Sequence, residues 1–230
     1  HMTLRIAVPS KGRLMEKTFD WFAARGVEMR RAGSERDYAA EVSGADMQLM
    51  LLSAGEIPRE MAAGRIHLGV TGTDLVREKI PAWDQSVEEL AELGFGFADL
   101  VLAVPQCWID VDCVDDLDAV AADFREAHGM RLRIATKYHR LVRDYLRAAG
   151  VADYQLVDSQ GATEGTVAHG TAELIADITS TGETLRANNL KILSDGMILR
   201  SQAMLFRARG ADWTDGARAA LDGLKTKLSI

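Results

Sequence analysis

The chain has 230 residues, a net charge of −7 at pH 7 and a hydrophobic fraction of 47%, which is ordinary globular composition and argues against fibrous or disordered chains. The acidic balance argues against nucleic-acid binding, and no apolar run is long enough to cross a bilayer. With two cysteines, no histidine pair at metal-ligand spacing and no signal peptide, we expect a cytoplasmic protein.

Short apolar runs along the chain alternate with segments of helical periodicity. The runs predict strands at Leu4–Val8, Met47–Leu52, Ile66–Val70, Leu100–Val104, Leu132–Thr136, Leu174–Ile178, Leu190–Leu193 and Met204–Arg207. Amphipathic spacing predicts helices at Leu14–Arg25, Asp116–His128 and Tyr138–Ala149, short helices after Pro58 and Asp74, and a closing helix from Ala217 to Leu228. This alternation predicts α/β layers with mainly parallel sheets.

The segment from Glu164 to Leu185 carries the most chemical information. Its strand Leu174–Ile178 holds Asp177 near the carboxyl end, and the loop Thr179–Thr184 leads into a helical turn. A strand, a loop rich in hydroxyls and a helix start form a phosphate cradle, in which Gly182 allows close backbone approach. The preceding acid can accept hydrogen bonds from ribose hydroxyls. For a lone Thr-Gly-x-Thr, an ordinary polar turn is about as common.

A second candidate anion site follows the first predicted strand. In the turn Pro9-Ser10-Lys11-Gly12-Arg13, two cations flank a flexible glycine, which suits a phosphate or carboxylate ligand. Taken alone, the same residues also describe a solvated loop before a helix.

Positions within the segment Glu164–Leu185 are similar to the signature of a known protein family. Glu164, Gly170, Ala172, Ile175, Asp177, Ile178, Thr181, Gly182, Thr184 and Leu185 match the spacing of the ATP phosphoribosyltransferase signature. The segments Pro9–Leu14, Leu68–Asp74, Arg133–Tyr138 and Ala187–Lys191 are also similar to that family. The chain therefore resembles the short form of ATP phosphoribosyltransferase, which catalyses the first step of histidine biosynthesis, over nearly its whole length.

The resemblance implies an α/β fold of two lobes with periplasmic-binding-protein-like (type II) architecture and an active-site cleft between the lobes. Lobe I would comprise residues 1–98 plus 200–230, and lobe II would comprise residues 99–199 with the phosphoribosyl pyrophosphate loop. N1 of the adenine of ATP would attack the anomeric carbon of phosphoribosyl pyrophosphate and release pyrophosphate. Mg²⁺ would be the cofactor, held mainly by the substrate pyrophosphate, with its protein ligands unassigned.

The resemblance also implies roles for individual residues. Asp177 would bind the ribose hydroxyls, and Arg13 and Arg36 would face the pyrophosphate as catalytic residues, although Arg36 also reads as a surface arginine in a polar loop. The implied substrate-binding residues are Lys11, Gly12, Thr71, Gly72, Asp74, Glu164, Thr179, Ser180, Thr181, Gly182, Glu183 and Thr184. Asp74 could instead cap a helix. Ser53, Ala54 and Gly55 stand where many family members carry an arginine and an aspartate.

The short form further implies a homodimer that assembles with a histidyl-tRNA-synthetase-like regulatory subunit. The chain ends at Ile230, so we expect it to lack the regulatory domain of the long form. Two alternatives remain at this point. A two-lobed small-molecule-binding module would use the same fold without catalysis. A phosphoribosyltransferase that acts on a nucleobase would usually show an acidic pair beside the Thr-Gly motif, whereas here Ile178 follows Asp177.

Overall fold

A computed structural model describes residues 3–31, 40–43, 45–159 and 161–230. The strands are β1 (Leu4–Pro9), β2 (Glu28–Arg31), β3 (Ala40–Ser43), β4 (Met47–Leu52), β5 (Leu68–Gly72), β6 (Val87–Glu92), β7 (Ala98–Pro105), β8 (Leu132–Ala135), β9 (Tyr154–Val157), β10 (Leu174–Thr179), β11 (Leu190–Ser201) and β12 (Ala203–Ala208). The helices are α1 (Gly12–Ala23), α2 (Ile57–Ala62), α3 (Thr73–Lys79), α4 (Trp83–Ser86), α5 (Val114–His128), α6 (His139–Ala148), α7 (Glu183–Ala187) and α8 (Asp215–Leu228), with a 3-10 turn at Thr163–Gly165.

The chain forms two compact units, and the first is assembled from both ends of the sequence. It comprises His1–Gly96 together with Gln202–Ile230. Its sheet has the strand order β4-β1-β5-β12-β6, in which β1 pairs parallel with β4 and β5 while β12 pairs antiparallel with β5 and β6. Apolar side chains of the strands are buried with those of α1 and α8 in one cluster, and with those of α2 and α3 in another. Burial of this surface is the main force that stabilises the unit.

Residues Phe97–Ser201 form the second unit. Its sheet has the order β11-β7-β10-β8-β9. Strands β10, β8 and β9 run parallel, whereas β7 pairs antiparallel with both β10 and β11. The core joins strand residues to the apolar faces of α5 and α6, with Leu117, Val142 and Leu146 fully buried. The carboxyl ends of the three parallel strands therefore lie at one edge of this sheet, where ligand-binding loops are usually found.

The prediction of an α/β fold is confirmed, but the prediction of mainly parallel sheets is wrong. Both five-stranded sheets are mixed, with antiparallel pairs around β7 and β12. An apolar run shows that a strand is buried and does not show its direction. The sequence predicted a strand at Leu190–Leu193 only, whereas β11 continues to Ser201 through register shifts. Such irregularities interrupt the periodicity that identifies a strand.

Candidate functional site

The loop between β10 and α7 is shaped by its own hydroxyls and one glycine. Leu174, Ile175 and Ala176 are buried in the sheet, so the strand delivers Asp177 and Thr179 to the sheet edge. Gly182 has a φ of 80°, in the left-handed region where only glycine is unstrained. The Gly182 N–H donates to Thr179 Oγ1 at 2.9 Å, and the Glu183 N–H donates to Thr181 Oγ1 at 3.3 Å. These contacts turn the chain from the strand into α7.

This loop lines a cavity of about 240 Å³ in the second unit. The cavity is lined by Glu164, Asp177, Ile178, Thr179, Ser180, Thr181, Glu183, Thr184 and Leu185. The structure thus brings together the predicted acid, the predicted hydroxyls and Glu164, which comes from another connection. Hydroxyl groups and backbone N–H groups can donate hydrogen bonds to a phosphate, while the carboxylates of Asp177 and Glu164 can accept them from sugar hydroxyls.

Asp177 lies half-buried between groups that act on its charge in opposite directions. Burial raises the pKa of its carboxyl above the ordinary value, and the neighbouring Glu164 raises it further by charge and by a side-chain hydrogen bond. The Ile178 N–H, which donates to Asp177 Oδ1 at 2.9 Å, and the charge of Lys137 lower the pKa, without cancelling the rise. A ligand that donates hydrogen bonds or brings positive charge to this pair would relieve the cost of ionising it.

Two lining residues and one supporting cation had no assigned role in the sequence analysis. Ile178 is 39% exposed at the cavity, and Leu185 is buried behind the loop. Lys137 follows β8, the parallel neighbour of β10, and this pairing places its charge near Asp177. Lys137 lies inside a segment with family resemblance, but only the strand pairing shows that it lies near Asp177. Because α7 spans Glu183–Ala187 only, individual N–H groups and hydroxyls outweigh a helix dipole there.

The described candidate residues of the first unit lie where β1 and β5 end and the following helices begin. Lys11, Gly12 and Arg13 begin α1 after β1, and all three are exposed. Gly72 and Asp74 begin α3 after β5. Since β1 and β5 are parallel neighbours, the two loops emerge at the same sheet edge. The arrangement suits an extended anionic ligand, because it places two cations beside backbone N–H groups at helix starts.

The side chains of this second set differ in their access to solvent. Thr71 is fully buried and its hydroxyl donates to the Ala54 carbonyl at 2.8 Å, while Lys79 Nζ donates to the Gly55 carbonyl at 2.9 Å. These two contacts fix the loop after β4. Asp74 is 6% exposed in the first turn of α3, whose N-cap residue is Gly72. Arg36 lies outside the described residues. The roles assigned to all these residues stay predictions.

Two other kinds of site are absent from the described part of the chain. No group of three or more His, Cys, Asp or Glu side chains there could hold a metal ion. Among the same residues, none of the helices combines the length and apolar character needed to span a bilayer.

Together, the fold and the site define an α/β protein of periplasmic-binding-protein-like (type II) architecture, with a cavity lined by a hydroxyl-rich loop. The fold is shared with a solved structure described as the probable amino-acid ABC transporter extracellular-binding protein ytmK from Bacillus subtilis, with a TM-score of 0.53. That likeness covers 98% of this chain and 90% of the other at 8% identity, so it shows the fold alone.

Sequence comparison identifies the family. The family described as HisG: ATP phosphoribosyltransferase matches residues 53–229. An ATP phosphoribosyltransferase from Cereibacter sphaeroides is 72% identical over 94% of this chain and 92% of its own length. A chain of the ATP phosphoribosyl transferase (HisG:HisZ) complex from Thermotoga maritima has a TM-score of 0.72 and 25% identity, with 98% of each chain covered. The chain belongs to the ATP phosphoribosyltransferase family, which is a family of enzymes rather than of binding modules.

Proposed function

We propose that the chain transfers the 5-phosphoribosyl group of phosphoribosyl pyrophosphate to N1 of the adenine of ATP, with release of pyrophosphate, as the first step of histidine biosynthesis. Family membership supports the reaction. The single observation that carries the assignment of the site is the cavity where Asp177 and Glu164 meet the hydroxyl-rich loop. Carboxylates beside phosphate donors are the groups that a phosphorylated ribose requires.

The loop Thr179–Thr184 would hold the 5-phosphate. Its hydroxyls and N–H groups would exchange their internal hydrogen bonds, such as that from Gly182 N–H to Thr179 Oγ1, for bonds to phosphate oxygens. The ribose hydroxyls would then donate to Asp177 and Glu164, and this would favour the ionised form of Asp177 against the effect of burial.

The loops of the first unit would bind the more highly charged groups. We assign Lys11 and Arg13 to phosphate and pyrophosphate oxygens, together with Arg36 of the undescribed segment. Thr71, Gly72 and Asp74 would line the ATP side. N1 of adenine has a free lone pair and carries no proton, so the reaction needs no general base. Rate enhancement would come from alignment and from stabilisation of the charge on the departing pyrophosphate.

The residues of the cavity fit the use of Mg²⁺. In nucleotide sites this ion keeps several waters and binds substrate phosphates with one or two carboxylates. Three carboxylates, those of Glu164, Asp177 and Glu183, line the cavity, so enough oxygen ligands are present. When bound, Mg²⁺ would neutralise charge on the pyrophosphate oxygens. The chain's own part is to hold the substrate: the loop donors bind the 5-phosphate, and Lys11 and Arg13 orient the leaving group.

We further propose that the chain forms a homodimer, works in the cytoplasm and assembles with a histidyl-tRNA-synthetase-like regulatory subunit. The structural neighbour from Thermotoga maritima supports the last point, because it belongs to a HisG:HisZ complex and matches 98% of this chain. Regulation would then be a coupling between two chains.

A direct assay tests the function. Purified protein is mixed with ATP, phosphoribosyl pyrophosphate and Mg²⁺, with and without a HisZ-type partner, and the products are analysed by chromatography and mass spectrometry. We expect N1-phosphoribosyl-ATP and pyrophosphate in equal amounts. Adenine in place of ATP serves as the control acceptor, since product from adenine would indicate the nucleobase class instead. The absence of product in every mixture would refute the proposal.

A further inference from the structure

The connection between β9 and β10, described at residues 158–159 and 161–173, brings Glu164 to the cavity lined by the loop after β10. Glu164 sits in the 3-10 turn Thr163–Gly165 and lines the cavity together with Asp177. The carboxyl of Glu164 raises the pKa of the Asp177 carboxyl, so the two acids act on each other across the cavity. The direction of the Glu164 carboxyl therefore depends on how the backbone of this turn is held.

Thr163, the residue before Glu164, is fixed on both its side chain and its backbone. It is 2% exposed, and its Oγ1 shares a hydrogen bond of 2.6 Å with Oγ of the buried Ser159. Its carbonyl oxygen accepts hydrogen bonds from Thr166, at 2.7 Å from the hydroxyl and 3.1 Å from the N–H. A buried hydroxyl with a short, specific partner restricts rotation of the adjoining backbone.

Strand β8 and the loop after it hold both ends of the same connection. Lys137 Nζ donates to the Gly161 carbonyl at 3.0 Å. Arg133 Nη2 donates to the Gly170 carbonyl at 3.0 Å and also forms a salt bridge with Glu173. These contacts hold the connection on either side of Glu164, and the contacts of Thr163 hold the turn that carries it.

We propose that Thr163 is a positioning residue that acts through Glu164: the buried Thr163–Ser159 hydrogen bond directs the Glu164 carboxyl to Asp177, where the two acids receive the ribose hydroxyls. This inference rests on the proposed function. Thr163 itself does not line the cavity, so its hydroxyl affects ligand binding only through the residue it positions. Groups that bind a ligand need support of this kind to keep their geometry.

A double-mutant cycle tests the proposal in the full chain. Binding of phosphoribosyl pyrophosphate in the presence of Mg²⁺ is measured by titration calorimetry for wild type, Thr163→Val, Glu164→Ala and the double variant. We expect Thr163→Val to weaken binding about 10- to 100-fold, as small misplacements of a binding group do. In the Glu164→Ala background the same change should have no effect, because residues that act through each other are not additive.

Two further variants separate positioning from general stability. Thr163→Ser keeps the hydroxyl and should restore most of the affinity. Thr171 is an exposed residue of the same connection, and its hydroxyl donates to the Thr166 carbonyl at 3.0 Å. Thr171→Val removes this hydroxyl and should leave binding unchanged. If Thr163→Val does not fold, Ser159→Ala replaces it in the cycle, since it removes the partner hydroxyl and leaves Thr163 in place.

The outcomes distinguish this inference from the function on which it rests. Equal loss of affinity with and without Glu164, or full affinity in Thr163→Val or Ser159→Ala, would overturn the role of Thr163 while leaving the enzyme assignment intact. A wild-type chain that binds no phosphoribosyl pyrophosphate would overturn the proposed function, and the positioning role with it.

Discussion

The charge of Asp177 should lower the stability of the folded chain at neutral pH while it supports the proposed reaction. Its pKa in the folded chain is raised, chiefly by burial, so between the ordinary aspartate pKa and the raised value the folded state binds more protons than the unfolded state. Stability therefore falls as pH rises through this interval. We expect Asp177→Asn to melt at a higher temperature than wild type at pH 7, and this advantage to shrink as pH falls toward about 4. The melting temperatures of wild type and Asp177→Asn between pH 4 and 8 measure this difference in stability.

The same substitution should damage the reaction. Loss of charge-assisted bonds to ribose typically costs roughly 1.5–3 kcal/mol, or about 10- to 150-fold in kcat/KM for phosphoribosyl pyrophosphate. Asp222→Asn, on an exposed position of α8, is the control and should change neither property. An Asp177→Asn variant that is both more stable and fully active would show that Asp177 does not bind the substrate.

Arg13 should act on the departing pyrophosphate, whose charge develops only during the reaction. Its exposed side chain lies in the first turn of α1. We expect Arg13→Ala to lower kcat more than it raises the KM for ATP, because interactions made mainly in the transition state appear in kcat. Steady-state kinetics with both substrates varied measure the difference, and Lys17→Ala on the same helix is the matched control. An effect confined to the KM for ATP would contradict the assignment.

At the scale of elements, the turn from β10 into α7 depends on Gly182. Alanine at a φ of 80° carries strain of about 1–2 kcal/mol. Its methyl group would also lie 2.8 Å from Nη1 of Arg186, a flexible side chain that must move away. We expect Gly182→Ala to raise the KM for phosphoribosyl pyrophosphate several-fold, because the loop donors shift together.

Gly129 offers a control with the same strain outside the cavity. It ends α5 at a φ of 69° and a methyl group there would meet nothing within 4 Å. Gly129→Ala should lower the melting temperature by a similar amount while leaving the kinetics unchanged. Equal kinetic effects of the two variants would show that strain in general, rather than the position of the loop, controls binding.

At the scale of the whole molecule, the proposed partnership predicts how histidine acts. If feedback is a coupling between two chains, histidine should not inhibit the active isolated chain and should inhibit it once a HisZ-type subunit is added. Such coupling is typically about 1–3 kcal/mol, or roughly 5- to 150-fold in affinity. Product formation during a histidine titration, with and without the partner, measures it. Strong inhibition of the chain alone would place a histidine site within these residues.

The assembly of the first unit from both chain ends depends on contacts that no local pattern shows. His67 is fully buried; its Nδ1 accepts a hydrogen bond from the Arg5 N–H at 2.9 Å, and its Nε2 lies 2.8 Å from the Asp212 carbonyl oxygen. It thereby ties the segment before α8 to the first strand. In the sequence this residue is an isolated histidine inside the predicted strand Ile66–Val70, without any sign of such a role.

The sequence by itself determined the features that are contiguous in the chain. The strand Leu174–Ile178 and the hydroxyl loop after it follow from a short apolar run, a left-handed glycine position and side chains that bond to the adjacent backbone, and all of these interactions are local. The family resemblance, which the comparisons confirm, depends on the same contiguous spacing.

Only the tertiary structure decided which distant groups meet. It set the antiparallel direction of β7 and β12, brought Glu164 to Asp177, and buried the hydroxyl of Thr71 against Ala54. The physical reason is that strand direction and side-chain partners depend on long-range pairing between elements, whereas periodicity records only whether a residue faces the core.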